Sequence, residues 1–381
     1  MRRPARILYC TSDFKSGGTQ RHLLALLRGL DRRRFTPAVA CLSDAGELAP
    51  AMRETGVAIR RFAIRDPLWH PRSLATIAHL AAWVRADFDL VHTLIGHANV
   101  VGLVAAALAR QRRVLASQRS LHPVSGSFRD ASPAMVAVGR WLFRHVARRV
   151  VVNNPAIADA LHREGFPPDR VVTISNGIDL ARFGPATDRT VARRALGLDA
   201  DLSIVGFAGR MIPDKGLGRL LDAAERLVDA HPGLAILAAG DGPERAALEA
   251  RAADPPLAGR VRFLGLRNDL ERFYPLLDVF AFPSTYSEGT PNVVLEAMAC
   301  AVPVVAHRMV QMEEMVRNGD TGVLVDSTSP EALAAALGSL LADPLRAASI
   351  GRAGREHVRR NYALETMLRQ TESLYETELA G

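Results

Sequence analysis

The stretch from residue 283 to residue 299 combines residue types that bind sugars and phosphates. It reads ProSerThrTyrSerGluGlyThrProAsnValValLeuGluAlaMetAla and follows an apolar run that ends at Phe282. This pattern predicts a strand, a glycine-containing turn and a helix that begins near Pro291, because proline favours the first helical turn. Backbone amides in residues 289–293 would then be available to an anion, with the helix dipole behind them. The candidate positions at this turn are Gly289, Thr290, Pro291 and Asn292.

Two carboxylates accompany this turn. Glu288 precedes the predicted helix, and Glu296 lies about two helical turns further on. Carboxylates are poor phosphate ligands but good acceptors for hydroxyl groups of a sugar. The combination of a phosphate site with two carboxylates therefore predicts a sugar nucleotide as the ligand.

A second loop carries the cations that a diphosphate needs. Residues 209–216 read GlyArgMetIleProAspLysGly after a predicted strand at residues 203–208. Arg210 and Lys215 would lie at the carboxyl end of that strand, where a pyrophosphate binds in doubly wound folds. Lys215 is one of only two lysines among 48 basic residues, although two solvated loop cations explain the segment equally well. Further candidates for this crevice are Gly209 and, in the loop at residues 240–243, Gly242.

A pair of glycines follows the first predicted strand. Gly17 and Gly18 lie between that strand and a helix, where backbone amides can approach a ligand. The chain contains neither GxGxxG here nor GxxxxGK[ST] anywhere, so the dinucleotide fingerprint and the P-loop are both missing. A simple turn is the commoner explanation of two adjacent glycines.

The sequence contains few motifs that could bind a metal ion. Two DxD triplets, at residues 87–89 and 199–201, precede predicted strands, which places them at the sheet edge opposite a ligand crevice. Both are interpreted as solvated turns, and no metal is predicted. Three scattered cysteines exclude a disulfide framework and a structural zinc site and favour a reducing cytoplasm.

Short β-type runs alternate with helical patterns along almost the whole chain, which is typical of βαβ units in parallel sheets. The pattern predicts an α/β fold with two doubly wound, Rossmann-like domains and a cleft between them. The predicted domains are residues 1–180 and 181–360, with a linker at residues 182–188 that mixes glycine, proline and charge. Residues 361–381 are predicted to form a final helix that packs back on the first domain.

Charge is divided unevenly between these halves. Residues 1–180 hold 26 Arg and Lys against 13 Asp and Glu, a net charge of +13, whereas the whole chain has +8. A basic first half predicts an anionic partner, which phospholipid headgroups, a lipid-linked substrate or nucleic acid would all satisfy. No RNA- or DNA-binding module is recognisable, so nucleic acid is disfavoured.

Two features bear on the membrane. The chain lacks a signal-like or spanning apolar stretch and is expected to begin at Met1 and to act in the cytoplasm. Residues 140–149, ArgTrpLeuPheArgHisValAlaArgArg, interleave cations with aromatics, which suits a helix on a membrane surface. A helix packed on the sheet with arginines outward explains the same segment somewhat better.

The sequence resembles the retaining glycosyltransferases of family 4, which have the GT-B fold. The GluGlyThrProAsnValValLeuGlu stretch matches the E-x7-E signature of that family. The match extends in order and spacing to four other places in the chain: GlyGlyThrGln (residues 17–20), SerAsnGlyIleAsp (residues 175–179, with Asn176), GlyArg with Lys215, and GlyAspGlyPro.

The resemblance implies a role for each matched residue. Arg210 and Lys215 would hold the donor diphosphate and stabilise the charge on the leaving nucleotide. Glu288 would bind hydroxyls of the donor sugar and Glu296 the ribose. Gly17 and Gly18 would admit donor and acceptor from the N-terminal, acceptor-side domain, while the C-terminal domain would bind the nucleotide sugar. The sugar would be transferred with retention of its anomeric configuration.

One departure from the family concerns the acceptor side. Many relatives carry a catalytic histidine after the fourth strand of the first domain, but here that loop reads AlaSerGlnArgSer (residues 116–120). Gln118 or Arg119 therefore occupies the position. His97, after the preceding strand, is the candidate replacement, although a helix-capping or surface role is as common for a loop histidine.

The resulting prediction is a hexosyltransferase that moves a sugar from a nucleotide-diphosphate donor to a glycan or lipid-linked glycan in cell-surface polysaccharide or glycolipid synthesis. No cofactor beyond the donor is predicted, and an anionic membrane surface is a possible partner. Two alternatives stay open: a sugar-nucleotide epimerase or hydrolase on the same fold, which would turn over donor without an acceptor, and a non-catalytic glycan-assembly subunit, which would only bind it.

Overall fold

The computed structural model describes residues 3–64, 70–121, 133–185, 188–194, 197–286 and 289–381, with backbone alone at 133–135. Its contacts divide the chain into two compact units. Unit 1 comprises Met1–Gly177, Ser287–Thr290 and Leu364–Gly381, and unit 2 comprises Ile178–Tyr286 and Pro291–Ala363. The chain thus leaves unit 1 after Gly177, and residues 182–188, the predicted linker, lie in the range assigned to unit 2.

Unit 1 is built on a seven-stranded sheet in the order β3-β2-β1-β4-β5-β6-β7, and every neighbouring pair is parallel. The strands are β1 (Ala5–Thr11), β2 (Phe35–Cys41), β3 (Ala58–Arg61), β4 (Leu90–Thr93), β5 (Val114–Gln118), β6 (Arg149–Val152) and β7 (Val171–Thr173). The helices between them are α1 (Gly18–Gly29), α2 (Ala49–Glu54), α3 (Pro71–Asp87), α4 (Gly96–Leu108), α5 (Pro133–His145) and α6 (Pro155–Arg163). Helices cover both faces, so the central strands are apolar on both sides and read as continuous hydrophobic runs.

Unit 2 repeats the plan with six parallel strands in the order β10-β9-β8-β11-β12-β13. The strands are β8 (Ser203–Ala208), β9 (Leu234–Ala239), β10 (Val261–Gly265), β11 (Val279–Phe282), β12 (Val304–His307) and β13 (Val323–Val325). The helices are α7 (Arg189–Arg194), α8 (Leu217–Glu225), α9 (Arg245–Ala252), α10 (Leu270–Phe273), α11 (Asn292–Ala299), α12 (Val310–Glu313), α13 (Pro330–Ala342) and α14 (Pro344–Asn361).

The strand order fixes where ligands can bind in each sheet. In unit 1 the order reverses direction between β1 and β4, and in unit 2 between β8 and β11. The loops that leave such a pair of strands diverge to opposite faces and open a crevice at the carboxyl edge. The predicted fold class, with two doubly wound parallel sheets, is confirmed.

Two strands escape sequence analysis. Three of the four residues of β3 are exposed or carry charge at the sheet edge, so they form no apolar run. β13 is only three residues long and follows Gly322 directly. Short strands at a sheet edge lack the run of apolar residues, or the alternation of apolar and polar residues, from which a strand is predicted.

No single helix in the described part of the chain is both long and apolar enough to cross a membrane. Helices α13 and α14 meet that criterion only when taken together, across a bend of 101°. Leu333, Leu337 and Leu340 of α13 are buried in the core of unit 2.

The last helix, α15 (Leu364–Ala380), belongs to unit 1 and is tied to its sheet by buried polar contacts. Glu378 has no solvent exposure and forms ion pairs with Arg148 at 2.7 Å and Arg149 at 2.9 Å. The hydroxyl of Tyr375, also buried, is 2.9 Å from the Tyr9 hydroxyl. These contacts join the end of the chain to β1 and to the start of β6.

We expect Glu378→Gln to destabilise the protein more than Glu376→Gln. Removing the buried carboxylate leaves two half-exposed guanidinium groups without their partner, a loss of about 2 to 3 kcal/mol. The Glu376 side chain, on the same helix and paired with Arg34, is 57% exposed, and its loss costs at most about 1 kcal/mol. Thermal and urea unfolding of the two variants measure the difference. Equal losses would contradict the anchoring role of Glu378.

Candidate active site

The loop after β8 brings the two predicted cations of unit 2 to the carboxyl edge of its sheet. A single helical turn, Pro213–Lys215, is followed by Gly216 at φ +78°, and α8 then begins. Thr285, after β11, donates its amide to the Asp214 carbonyl at 2.9 Å. The loops of β8 and β11 therefore contact each other at the point where the strand order reverses, and both predicted elements of the crevice meet there.

Lys215 is held in a largely apolar position. Its ammonium lies 5.0 Å from the centre of the Tyr286 ring and 6.0 Å from that of Phe282. Burial, assisted by the positive charge of Arg210, lowers the pKa of Lys215 to about 8. Arg210 is exposed and forms no ion pair with a carboxylate of the described residues. A desolvated ammonium beside a second cation is an electrostatic arrangement that an anion stabilises.

The neighbouring loop supports this one through backbone contacts. Gly209 donates to the Ala239 carbonyl at 3.0 Å, and Met211 donates to the Asp241 carbonyl at 2.8 Å. A Cβ on Gly242 would lie 2.4 Å from the Met211 carbonyl oxygen, so no larger residue fits there. The glycine at position 242 is thus required by the packing of the two loops.

Helix α11 begins at Asn292, with Pro291 as its N-cap residue, one residue later than a first-turn proline would give. No side chain caps its N-terminus. Glu296, 4% exposed, accepts a hydrogen bond at 2.8 Å from the Tyr274 hydroxyl, which fixes the orientation of the carboxylate. Glu288 lies outside the described residues.

In unit 1, Gly17 and Gly18 open helix α1. Gly17 is extended, and no side chain caps the helix, so the first-turn amides have no capping partner. A Cβ on Gly18 would meet nothing within 4 Å. Packing within the described protein therefore does not require a glycine at position 18, in contrast to Gly242.

Three asparagines after β6 and β7 hold the turn segment that belongs to unit 1. The Asn154 amide donates to the Gly289 carbonyl at 3.3 Å, and the Asn176 amide donates to the Thr290 carbonyl at 3.0 Å. The Thr290 hydroxyl donates to the Asn153 carbonyl at 2.5 Å. Asn153 and Asn154 are not among the residues predicted from the sequence, although their position directly after the apolar run of β6 is a signal for them.

Two of the residues predicted for the acceptor side, His97 and Arg119, follow strands at the carboxyl edge of the first sheet. His97 is the second residue of α4 and is half-buried. Arg119, after β5, is also half-buried, and its guanidinium donates to the Asn176 side-chain oxygen. Burial lowers the pKa of Arg119 to about 10. His97 and Arg119, two positions considered for the missing family histidine, therefore follow the neighbouring strands β4 and β5 at the carboxyl edge of the sheet.

The DxD triplets lie where the sequence placed them. Asp87 pairs with Arg6 at 3.0 Å and Asp89 with Arg3 at 2.9 Å, just before β4. Asp199 and Asp201 are exposed before β8. The described residues contain no group of three or more His, Cys, Asp or Glu side chains arranged to hold a metal ion.

These features define a GT-B type protein, and comparison with known proteins agrees. Residues 16–182 match the family described as Glycosyltransferase Family 4, and residues 188–357 match Glycosyl transferases group 1. The D-inositol 3-phosphate glycosyltransferase of Rhodococcus opacus is 32% identical over 87% of this chain and 78% of its own length. A GDP-mannose-dependent alpha-(1-6)-phosphatidylinositol monomannoside mannosyltransferase of Mycolicibacterium smegmatis is 31% identical over 94% and 95%.

Solved structures show the same fold. Anabaena Alr3699/HepE, crystallised with UDP, superposes with a TM-score of 0.86 at 23% identity over 98% of this chain and all of that one. Sucrose-phosphate synthase from Thermosynechococcus elongatus gives 0.81 at 25% identity over 99% and 100%. The chain belongs to glycosyltransferase family 4. It is a glycosyltransferase that uses a nucleotide-sugar donor, so the predicted enzyme class, a hexosyltransferase, is confirmed.

Nucleotide binding should weaken as the pH rises through about 8. The lowered pKa of Lys215 means that its ammonium is charged below about 8 and neutral above it. Only the charged form attracts a diphosphate, so at pH 9 about one tenth of the protein is in the binding form. The dissociation constant of the tighter of UDP and GDP, measured by calorimetry from pH 7 to pH 9, should rise roughly tenfold. Lys215→Arg, which stays charged, should show a flat profile; the same rise in that variant would contradict the assignment.

Proposed function

We propose that the protein transfers a hexose from a nucleotide-diphosphate donor, with retention of configuration, to a glycan or lipid-linked glycan acceptor. The product enters the synthesis of a cell-surface polysaccharide or glycolipid, and the reaction takes place at the cytoplasmic face of the membrane. Relatives whose names specify GDP-mannose or an inositol-containing acceptor support this range of substrates.

The observation that carries the proposal is the environment of Lys215. Burial that lowers the pKa of Lys215 to about 8 destabilises the charged form of this side chain in the free protein. Such perturbed groups are found mainly at functional sites, where a ligand compensates for the cost. The diphosphate of a sugar nucleotide places negative charge beside this ammonium, and more negative charge develops there as the glycosidic bond breaks. Arg210 and Lys215 thus stabilise the transition state more strongly than the ground state.

The carboxylates have separate roles in the proposal. Glu288 accepts hydrogen bonds from hydroxyls of the donor sugar. Glu296, oriented by Tyr274, accepts a hydrogen bond from the ribose. Gly289, Thr290, Pro291 and Asn292 supply the backbone at the start of α11, which is polarised toward a phosphate.

The experiment that tests the proposal is a transfer assay with the donor that gives the largest thermal shift among UDP-, GDP- and ADP-sugars. We expect Glu288→Gln to lower kcat/KM at least tenfold, because a hydrogen bond to a charged group contributes about 1.5 to 3 kcal/mol. Glu249→Gln, in exposed helix α9, removes the same charge as a control. Donor hydrolysis or epimerisation without dependence on an acceptor would favour the alternative enzyme, and unchanged kinetics of Glu288→Gln would contradict the role given to this turn.

The same assay run in EDTA tests whether a metal takes part. We propose that none does, because Arg210, Lys215 and the start of α11 neutralise the leaving diphosphate. Transfer should continue at an unchanged rate after chelation. Complete loss, restored by Mg²⁺ or Mn²⁺, would contradict this part of the proposal.

We also propose that unit 1 touches an anionic membrane through α5. On the exposed face of this helix, Trp141 is 57% exposed and lies beside the exposed residues Val138, Arg140 and Arg144. A tryptophan flanked by arginines suits the boundary between headgroups and acyl chains. Arg148 is excluded from this surface because its partner, Glu378, is fully buried, whereas Arg140 lies 3.8 Å from the partly exposed carboxylate of Glu164 and stays at the surface.

Co-sedimentation with vesicles tests this surface. The double variant Arg140→Gln/Arg144→Gln should release from phosphatidylglycerol-containing vesicles at lower salt than wild type, since each arginine contributes about 1 kcal/mol of attraction. Arg359→Gln/Arg360→Gln, with the same charge change on exposed α14, serves as the control. Binding of wild type to neutral vesicles alone, or equal release of both variants, would contradict the proposal.

A further inference from the structure

Arg219, in the first turn of α8, connects the loops that follow β8 and β11. Its Nη2 atom donates to the Pro283 carbonyl at 2.7 Å and to the Asp214 carbonyl at 3.1 Å. Its Nε atom also donates to the Pro283 carbonyl, at 3.2 Å, and Nη1 donates to the Pro213 carbonyl at 3.4 Å. One planar guanidinium, with donors in a fixed fork, therefore bridges backbone oxygens of two loops that lie far apart in the chain.

Gly216 provides the space in which this guanidinium lies. Its φ of +78° is in the left-handed region. A Cβ there would lie 2.5 Å from Arg219 Nη2 and 2.5 Å from the Pro283 carbonyl oxygen. Any larger residue would strain the backbone and displace the bridge. The turn that directly follows Lys215 is thus shaped to hold Arg219.

The Pro283 carbonyl has a further donor. Ser327, which follows β13 and has no solvent exposure, donates its hydroxyl to this carbonyl at 3.1 Å. The backbone amide of Ser327 donates in turn to Nδ1 of His307, the last residue of β12, at 3.1 Å. The carboxyl ends of β8, β11, β12 and β13, which are neighbours in the sheet, are therefore connected through one carbonyl oxygen.

The contacts of Arg219 differ from those of an ordinary surface arginine. It is half-buried and has no ion pair with a carboxylate in the described part of the chain. By contrast, Arg226, directly after the same helix, pairs with Glu331 at 2.6 Å and is 44% exposed. A guanidinium removed from water must satisfy its donors, and here the two loops of the donor crevice supply the acceptors.

Lys215 lies in one of these two loops and faces the other. It stands between Asp214, whose carbonyl accepts from Arg219, and Gly216. Its ammonium is 5.0 Å from the ring of Tyr286, in the loop that begins at Pro283. Both segments that surround the ammonium are thus held by the same guanidinium. A cation stabilises developing charge best when it is fixed in place beforehand, so a residue that fixes these loops affects both donor binding and transfer.

We infer that Arg219 is a positioning residue for sugar transfer: it bridges the loops after β8 and β11 and thereby fixes the Lys215 ammonium against Tyr286. This inference rests on the proposed function, in which Lys215 binds the donor diphosphate. Arg219 itself contacts no substrate in this assignment and acts through Lys215. Sequence analysis identified Lys215 in this loop but gave no role to Arg219.

Two substitutions separate the bridge from the charge of Arg219. Arg219→Lys keeps the positive charge but cannot reach several acceptors at once, whereas Arg219→Gln removes both. Both variants should weaken binding of the tighter of UDP and GDP about tenfold at pH 7, because the loops must then be ordered on binding. Arg226→Gln, with the same charge change, serves as the control and should bind as wild type does. Wild-type affinity in Arg219→Lys would show that the bridge has no role and would overturn the inference.

The pH profile of nucleotide binding is a readout that a general loss of stability does not move. Burial, assisted by the charge of Arg210, lowers the pKa of Lys215 to about 8. In Arg219→Lys the released loops expose the ammonium to water, so the midpoint of the profile should rise toward the ordinary lysine pKa of about 10.4. Partial unfolding would lower the active fraction at every pH and leave the midpoint in place. A midpoint that stays near 8 in a weakly binding variant would overturn the inference.

Ser327→Ala tests the same carbonyl without a change at Arg219. It removes the other side-chain donor to Pro283, so nucleotide affinity should fall about threefold. Because both residues act on one oxygen, the double variant Arg219→Lys/Ser327→Ala should lose less than the product of the two single losses. Multiplicative losses would contradict the connection through Pro283. Melting temperatures without nucleotide identify a variant that fails to fold; if both Arg219 variants do, an unmoved pH midpoint in Ser327→Ala overturns the inference.

Lys215→Gln distinguishes failure of this inference from failure of the proposed function. Loss of nucleotide binding in Lys215→Gln but not in Arg219→Lys would overturn the inference alone. Binding that survives in Lys215→Gln would instead contradict the role that the proposed function gives to Lys215. In the transfer assay, Arg219→Lys should raise the donor KM and lower kcat while the acceptor KM stays unchanged. A change confined to the acceptor KM would overturn the inference.

Discussion

The order of the parallel strands is the constraint on which the rest of this structure depends. Parallel strands deliver all their following loops to one edge, and the reversal of strand order between β8 and β11 makes two of these loops neighbours in space. Lys215 and Tyr286, 71 positions apart in the chain, thereby come within 5.0 Å. Hydrogen bonds such as that from Thr285 to Asp214 fix the loops without any contribution from the ligand. The loop that carries Lys215 is therefore held by the protein alone, and such preorganisation lowers the entropic cost of binding an anion.

Each of the two units contains a positively charged side chain that is largely removed from water. Lys215 and Arg119 each lie in surroundings that lower their pKa, to about 8 and about 10. A fold that desolvates cations loses stability in the free state and gains it when an anion binds. In unit 1 part of the stability that offsets this loss comes from α15, whose Glu378 and Tyr375 fasten the end of the chain to the sheet. Tyr375 also forms a hydrogen bond with His92 of β4, close to the end of the neighbouring strand β5 that Arg119 follows. The last helix therefore stabilises the part of the sheet in which Arg119 lies.

Glycines in this protein serve two different needs, and only the structure distinguishes them. Gly242 is required because a neighbouring carbonyl approaches to within 2.4 Å of where a Cβ would be. A Cβ on Gly18 would meet nothing within 4 Å, so packing among the described residues does not require a glycine there. A sequence motif marks both residues in the same way, although packing explains only Gly242.

The sequence by itself determined the fold class, because buried parallel strands are apolar on both faces and alternate with amphipathic helices, a pattern that needs no tertiary information. It also determined the family, and it placed Arg210, Lys215 and Glu296 in the loops and the helix that follow strands of the second sheet. The edge strands β3 and β13 were missed because half-exposed strands leave no such pattern. Only the tertiary structure decided that, among the described residues, Arg119 has no carboxylate partner and the Nδ1 atom of His22 has no hydrogen-bond partner, whereas both ring nitrogens of His92 are bonded. Pairing between side chains depends on contacts across 25 to 283 positions, as for His92 with Ser117 and Tyr375, and no local pattern of residues encodes such contacts.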